Sequence, residues 1–207
     1  MAGQTHYDTE ETEEMDRKNG TRRLSVHDMV YIALSAALIT VCSWITVPAA
    51  VPFTMQTFAV FTVTALFGWK RGALSVMLYI LLGAVGLPVF SGFGAGPAKL
   101  LGPTGGYIIG FLALTLVYGL LMKIGPHAFW MEIAALAAGC LVCYAFGTVW
   151  FVSVYARTKG TIGFGAALGM CVVPFIPADA AKLALSAVLV RRLRRVLPDF
   201  RGKGLSE

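Results

Sequence analysis

The sequence predicts an all-α integral membrane protein with six transmembrane helices, on three observations. First, 57% of its 207 residues are hydrophobic and 14% charged, and the mean hydropathy is +0.73, a composition suited to lipid rather than to a soluble core. Second, the charges gather at the termini and at a few junctions, with long uncharged runs between them. Third, residues 164–190 form a membrane-length apolar run whose only ionisable groups are Asp179 and Lys182. A charge at the centre of a membrane helix costs roughly 2.5–3.5 kcal/mol on insertion scales. At i and i+3 the two share a helix face and can reach each other. They are either a neutralised structural pair or the polar lining of a solute pocket, and the second reading is preferred because intramembrane ionisable groups usually mark a solute path.

Residues 1–25 hold six acids and four bases and almost no large apolar side chains, which predicts a solvated cytoplasmic tail rather than a secretory signal. Span 1 covers residues 26–47, with Ala33, Ala36 and Ala37 as a small-residue stripe open to helix packing or to a separate membrane subunit. The uncharged stretch 48–56 contains Pro48 and Pro52 and reads as a loop or re-entrant turn. Span 2, about 55–69, is short; Gln56 near its start is a hydrogen-bonding group that would be wasted facing lipid. Lys70, Arg71 and Gly72 predict a tight basic turn, and span 3 follows over 73–87. The glycine-rich segment 88–107 carries Lys99 as its single charge. Such backbone freedom beside apolar residues suits a loop folded over a site. Span 4, about 105–122, offers Gly106 and Gly110 as a close-contact pair. Span 5 runs over about 129–155 and span 6 over about 164–190, stopped by Arg191, Arg192, Arg194 and Arg195. The membrane domain is thus 26–192, with a basic tail over 193–207.

Six spans put both termini on one side of the membrane. With the 2–3 and 4–5 turns, that side carries thirteen lysines and arginines against three on the other. The positive-inside rule makes the termini cytoplasmic and turns the proline and glycine loops outward. The formal charge of +6 therefore reports topology and not nucleic-acid binding.

No cofactor or metal is expected, because no Cys or His set has ligand spacing. A Gly-x-Ser-x-Gly elbow is missing, and so is any nucleotide-binding motif, so uphill transport would need a separate ATPase. The four cysteines lie in apolar runs and give no disulfide framework. Cys140-x-x-Cys143 leaves a membrane thiol redox enzyme as the rival of a different class.

Four stretches carry a family resemblance: 52–58 (PFTMQTF), 86–90 (GLPVF), 101–107 (LGPTGGY) and 175–182 (FIPADAAK). In this order, over roughly 26–192, they resemble the signature stretches of the BioY family, the biotin-specific substrate-binding (S) components of energy-coupling factor (ECF) transporters. The resemblance implies the ECF S-component fold in the cell membrane and capture of biotin from outside. It also implies partnership with a transmembrane coupling subunit and two ABC-type ATPases. The family's acid and lysine of the last helix fall on Asp179 and Lys182, and its docking motif for the coupling subunit falls on Ala33 and Ala37. Its ligand-covering loops fall on 52–56 and 88–107, which makes Gln56, Lys99, Thr104 and Tyr107 polar candidates and Phe90 and Phe93 ring-packing ones. Pro177-Ala178-Asp179 departs from the usual Pro-Gly-Asp but keeps the charge spacing. An S component for another small vitamin, or a stand-alone facilitator, is the nearer alternative.

Overall fold

The computed structural model describes residues 24–48, 51–126, 128–158, 160 and 163–196; both predicted tails lie almost wholly outside them. Among the described residues the six apolar segments occur in the predicted order as seven α-helices, α1 (Val26–Trp44), α2 (Gln56–Phe67), α3 (Trp69–Val85), α5 (Gly105–Ile124), α6 (Phe129–Thr158), α7 (Phe164–Cys171) and α8 (Phe175–Val196), and a further short helix, α4 (Pro97–Leu101), forms in the segment read as a loop. By length and composition α1, α5 and α6 can each cross a bilayer, and α7 with α8, bent by 42° at the break between them, adds a fourth crossing when the pair is taken as one span. At 1.5 Å per residue α2 spans only about 18 Å. It does not face lipid along its length: Ala59 to Ala65 are buried without a break, because α2 stands at the centre against α1, α3, α5 and α8. A helix shorter than the hydrocarbon core is tolerated when protein covers its ends.

The break in the last span falls at Val172, Val173 and Pro174. Pro174 has no N–H to continue the α7 ladder, whereas Pro177 sits in the first turn of α8, where no partner for that N–H is needed. Two further elements differ from expectation. The stretch after α1 is a two-stranded hairpin, β1 (Thr46–Val47) against β2 (Phe53–Thr54), antiparallel with Thr46 opposite Thr54. The turn between spans 2 and 3 falls at Gly68 (φ 85°), not at residues 70–72. Lys70, Arg71 and Gly72 are instead inside α3.

The reason is Arg71. It is buried, and its Nη2 and Nε lie 2.5 and 2.7 Å from Asp28 Oδ1 in the first turn of α1. Its guanidinium also sits 5.6 Å from the Tyr31 ring. Removing one member of a buried ion pair leaves an uncompensated charge at roughly 3–5 kcal/mol. Asp28→Ala is expected to lower the melting temperature in detergent sharply, a loss that a thermal-shift assay reads directly.

α5 and α6 form the most extensive helix pair, and glycines set its spacing. A Cβ on Gly110 would lie 2.8 Å from Cys143 Sγ, and one on Gly139 would lie 2.7 Å from the Leu114 carbonyl. Gly106 and Gly147 likewise abut Trp150 and Tyr107. Small residues at these positions let the backbones close to contact distance.

Candidate functional site

The kink before α8 aims its first two turns at the N-terminus of α2. Lys182 Nζ lies 2.7 Å from Asp179 Oδ1 and also donates to the Thr54 carbonyl at 2.7 Å and to Thr57 Oγ1 at 3.1 Å. Thr57 in turn donates to Asp179 Oδ1 at 2.7 Å, while the Tyr144 hydroxyl from α6 donates to Oδ2. All three ammonium protons and both carboxylate oxygens are therefore engaged. Both side chains are deeply buried, at 5% exposure for Asp179 and 11% for Lys182. Charges so placed persist because each has a paired and hydrogen-bonded partner.

This network forms one wall of a cavity of about 60 Å³. Gln56, Thr104, Tyr107, Phe111, Cys143 and Phe175 are among its other lining residues. Tyr107 is fixed by a 3.1 Å hydrogen bond between its hydroxyl and Thr148. The Gln56 side-chain nitrogen is buried with no hydrogen-bond partner among the described residues, an unmade donor at the site. Phe53 of β2 stacks on Phe175 with ring centroids 3.9 Å apart and planes 3° from parallel. The wall is thus polar and charged on one side and aromatic on the other, the pattern of small-molecule sites.

Five of the eight residues expected at a ligand meet here: Asp179, Lys182, Gln56, Thr104 and Tyr107. Phe90, Phe93 and Lys99 do not line this cavity. Phe90 is wholly buried, edge-on to Tyr79 at 5.4 Å and against Gly83, so core packing claims its ring. Phe93 has a left-handed backbone (φ 56°) and lies largely exposed beside Trp44. Lys99 is in α4, its stem running along Gly94. Thr57 and Tyr144 were not among the residues read from the sequence. An uncharged hydroxyl in an apolar run carries no insertion penalty large enough to single it out, though a mid-span phenol such as Tyr144 does need a partner. Ala33 and Ala37 are exposed on the outer face of α1, with Ala36 turned inward. Cys140 and Cys143 are buried free thiols on α6, and Cys143 points its sulfur at the Tyr107 carbonyl, 3.6 Å away.

The family model for the BioY family matches residues 15–199. The chain belongs to the BioY family. Among relatives, it is 38% identical over 175 residues to the biotin transporter BioY of Thermotoga maritima, covering 83% of this chain and 98% of that one. To the biotin transporter BioY of Rhodobacter capsulatus it is 33% identical over 184 residues, covering 83% and 95%. Among solved structures, the crystal structure of the S-component for biotin from an ECF-type ABC transporter superposes with a TM-score of 0.72 at 29% identity. That match covers 82% of this chain and 92% of the other. The fold is therefore the ECF S-component fold. BioY chains are transport subunits and not enzymes, which removes the thiol redox reading of Cys140 and Cys143.

Proposed function

We propose that this chain is the biotin-binding subunit of an ECF-type ABC transporter, capturing biotin at the outer face of the cell membrane for import. The observation that carries the reading is the buried Asp179–Lys182 network facing an aromatic wall in a member of the BioY family. Biotin has an apolar bicyclic body, a ureido group with two N–H donors and one carbonyl, and a valerate carboxylate. Asp179 accepts the ureido N–H bonds, and Lys182 turns one ammonium proton from the Thr54 carbonyl or Thr57 to the ureido oxygen or to the carboxylate. Tyr144 and Thr57 hold the Asp179 oxygens in place, and the Gln56 amide supplies a further donor. Tyr107, Phe111 and Phe175 pack against the rings. Thirteen basic residues on the terminal side against three on the other support cytoplasmic termini and an outward-facing cavity.

A cavity of about 60 Å³ is well below the roughly 300 Å³ at which small-molecule sites begin. Biotin therefore needs the site to open, and the β1–β2 hairpin, which brings Thr54 to the lining and stacks Phe53 on Phe175, is the element that gives way. A stacked aromatic pair contributes about 0.5–1.5 kcal/mol, so Phe53→Ala is expected to speed biotin association roughly two- to tenfold. Stopped-flow mixing of the purified chain with biotin reads this; an unchanged or slower association excludes the hairpin as the gate.

Energising partners are a transmembrane coupling subunit, docked through Ala33 and Ala37, and two ABC-type ATPases. Biotin uptake by cells carrying the chain with and without these subunits tests the assignment. Uptake that needs them supports it, and equal uptake without them identifies a stand-alone facilitator.

A further inference from the structure

A second and larger cavity, about 520 Å³, opens at the opposite end of α8 from Asp179. The twelve residues from Asp179 to Arg191 place it about 18 Å farther along the helix axis. It lies between the C-terminal end of α2, the first turns of α6 and the last turns of α8. Its charged lining is Arg191, Arg194, Arg195 and Glu132. Glu132 is already neutralised: both of its oxygens accept from Arg194 Nη1 at 2.9 Å. Arg194 is further pinned by its Nη2, which donates to the Ala65 carbonyl at 2.5 Å. Arg191 and Arg195 have no ion-pair partner among the described residues, so the cavity keeps a surplus of two positive charges. The Nε of Arg194 is buried without an acceptor.

The remaining wall is apolar. Ile133 and Leu136 line it on α6, and on α8 Ala187 stands one turn before Arg191 and Val190 one turn before Arg194. At the rim Phe129 carries the Arg191 guanidinium over its ring at 5.3 Å, and Trp130 is 76% exposed. A free polyanion has no use for an apolar wall and an exposed indole. A phospholipid needs both halves: cations for the headgroup phosphate and an apolar trough for the start of its chains. Tryptophan at the rim marks the headgroup level of a bilayer, and basic pockets between membrane helices on the cytoplasmic side suit anionic headgroups.

We propose that this cavity binds the headgroup of an anionic phospholipid from the leaflet on the side of the termini, with Arg191 and Arg195 contacting the phosphate. The site is independent of the biotin cavity and of its ligand. The test uses the full chain in detergent with phosphatidylglycerol or phosphatidylcholine of identical acyl chains, read by native mass spectrometry and by melting temperature. Preferential retention of phosphatidylglycerol is expected, at about fivefold per arginine and about 25-fold for the pair. Arg191→Gln with Arg195→Gln should abolish the preference, and the double lysine variant should keep most of it. Both side chains are exposed, so these variants are expected to fold, and their melting without lipid checks that they do. Equal retention of the two lipids, or a preference that survives the glutamine variant, would overturn the proposal. So would displacement of the lipid by millimolar inorganic phosphate, which would identify a site for soluble anions.

Discussion

Asp179→Asn is expected to weaken biotin binding by roughly 30-fold or more while leaving a folded, extractable protein. The carboxylate accepts from Lys182, Thr57 and Tyr144, and in the liganded site it must also accept ureido N–H groups. An amide of the same shape keeps one oxygen acceptor and turns the other oxygen into an NH₂ donor. That donor faces either the Tyr144 hydroxyl or the Lys182 ammonium. Truncating one partner of a buried, hydrogen-bonded charge pair costs about 2–5 kcal/mol in binding, or roughly 30-fold to several thousandfold. The protein itself survives because Lys182 retains the Thr54 carbonyl and Thr57 as acceptors. Titration of the detergent-purified variant measures the loss; affinity equal to wild type would remove Asp179 from the ligand site.

Leucine at both Ala33 and Ala37 is expected to abolish energised uptake and leave biotin affinity within about twofold. The two alanines stand four residues apart on the exposed face of α1, where small side chains allow a second helix to approach to backbone contact. Neither is among the residues lining the Asp179 cavity. Bulk at both positions therefore blocks docking to the coupling subunit without touching ligand. Co-purification with tagged coupling subunit, beside calorimetry on the isolated variant, separates the two effects. Normal uptake would move the docking surface elsewhere, and lost binding would show that the α1 face serves the fold.

The features legible in the sequence were those with large energetic consequences. An acid and a lysine inside a 27-residue apolar run (164–190) are too costly to be incidental, and their i, i+3 spacing does bring them to 2.7 Å. Gly106 and Gly110 signalled the tight α5–α6 interface. Features with smaller consequences were hidden. Pro174 and Pro177 both precede Asp179 in the sequence, but which of them breaks the helix depends on where α8 begins. Arg71 read as a turn residue because exposed basic pairs usually are; only its tertiary partner Asp28, 43 residues away, pulls it inside a helix. Phe90 and Phe93 sat in a segment read as a loop, which folds in part into a 3-10 turn and α4, and its sequence does not say which ring turns inward. Thr57 and Tyr144 carry no charge and follow no period, so only the folded chain gathers them around Asp179.

The most direct test of the central claim is calorimetry of biotin with the detergent-purified wild type beside Lys182→Ala. Tight binding by the wild type that is lost in the variant is the predicted result, and it would establish the ligand and its cavity together. Heat equal in both proteins would keep biotin and contradict the site. No heat from a folded wild type would contradict biotin itself and turn attention to another small vitamin.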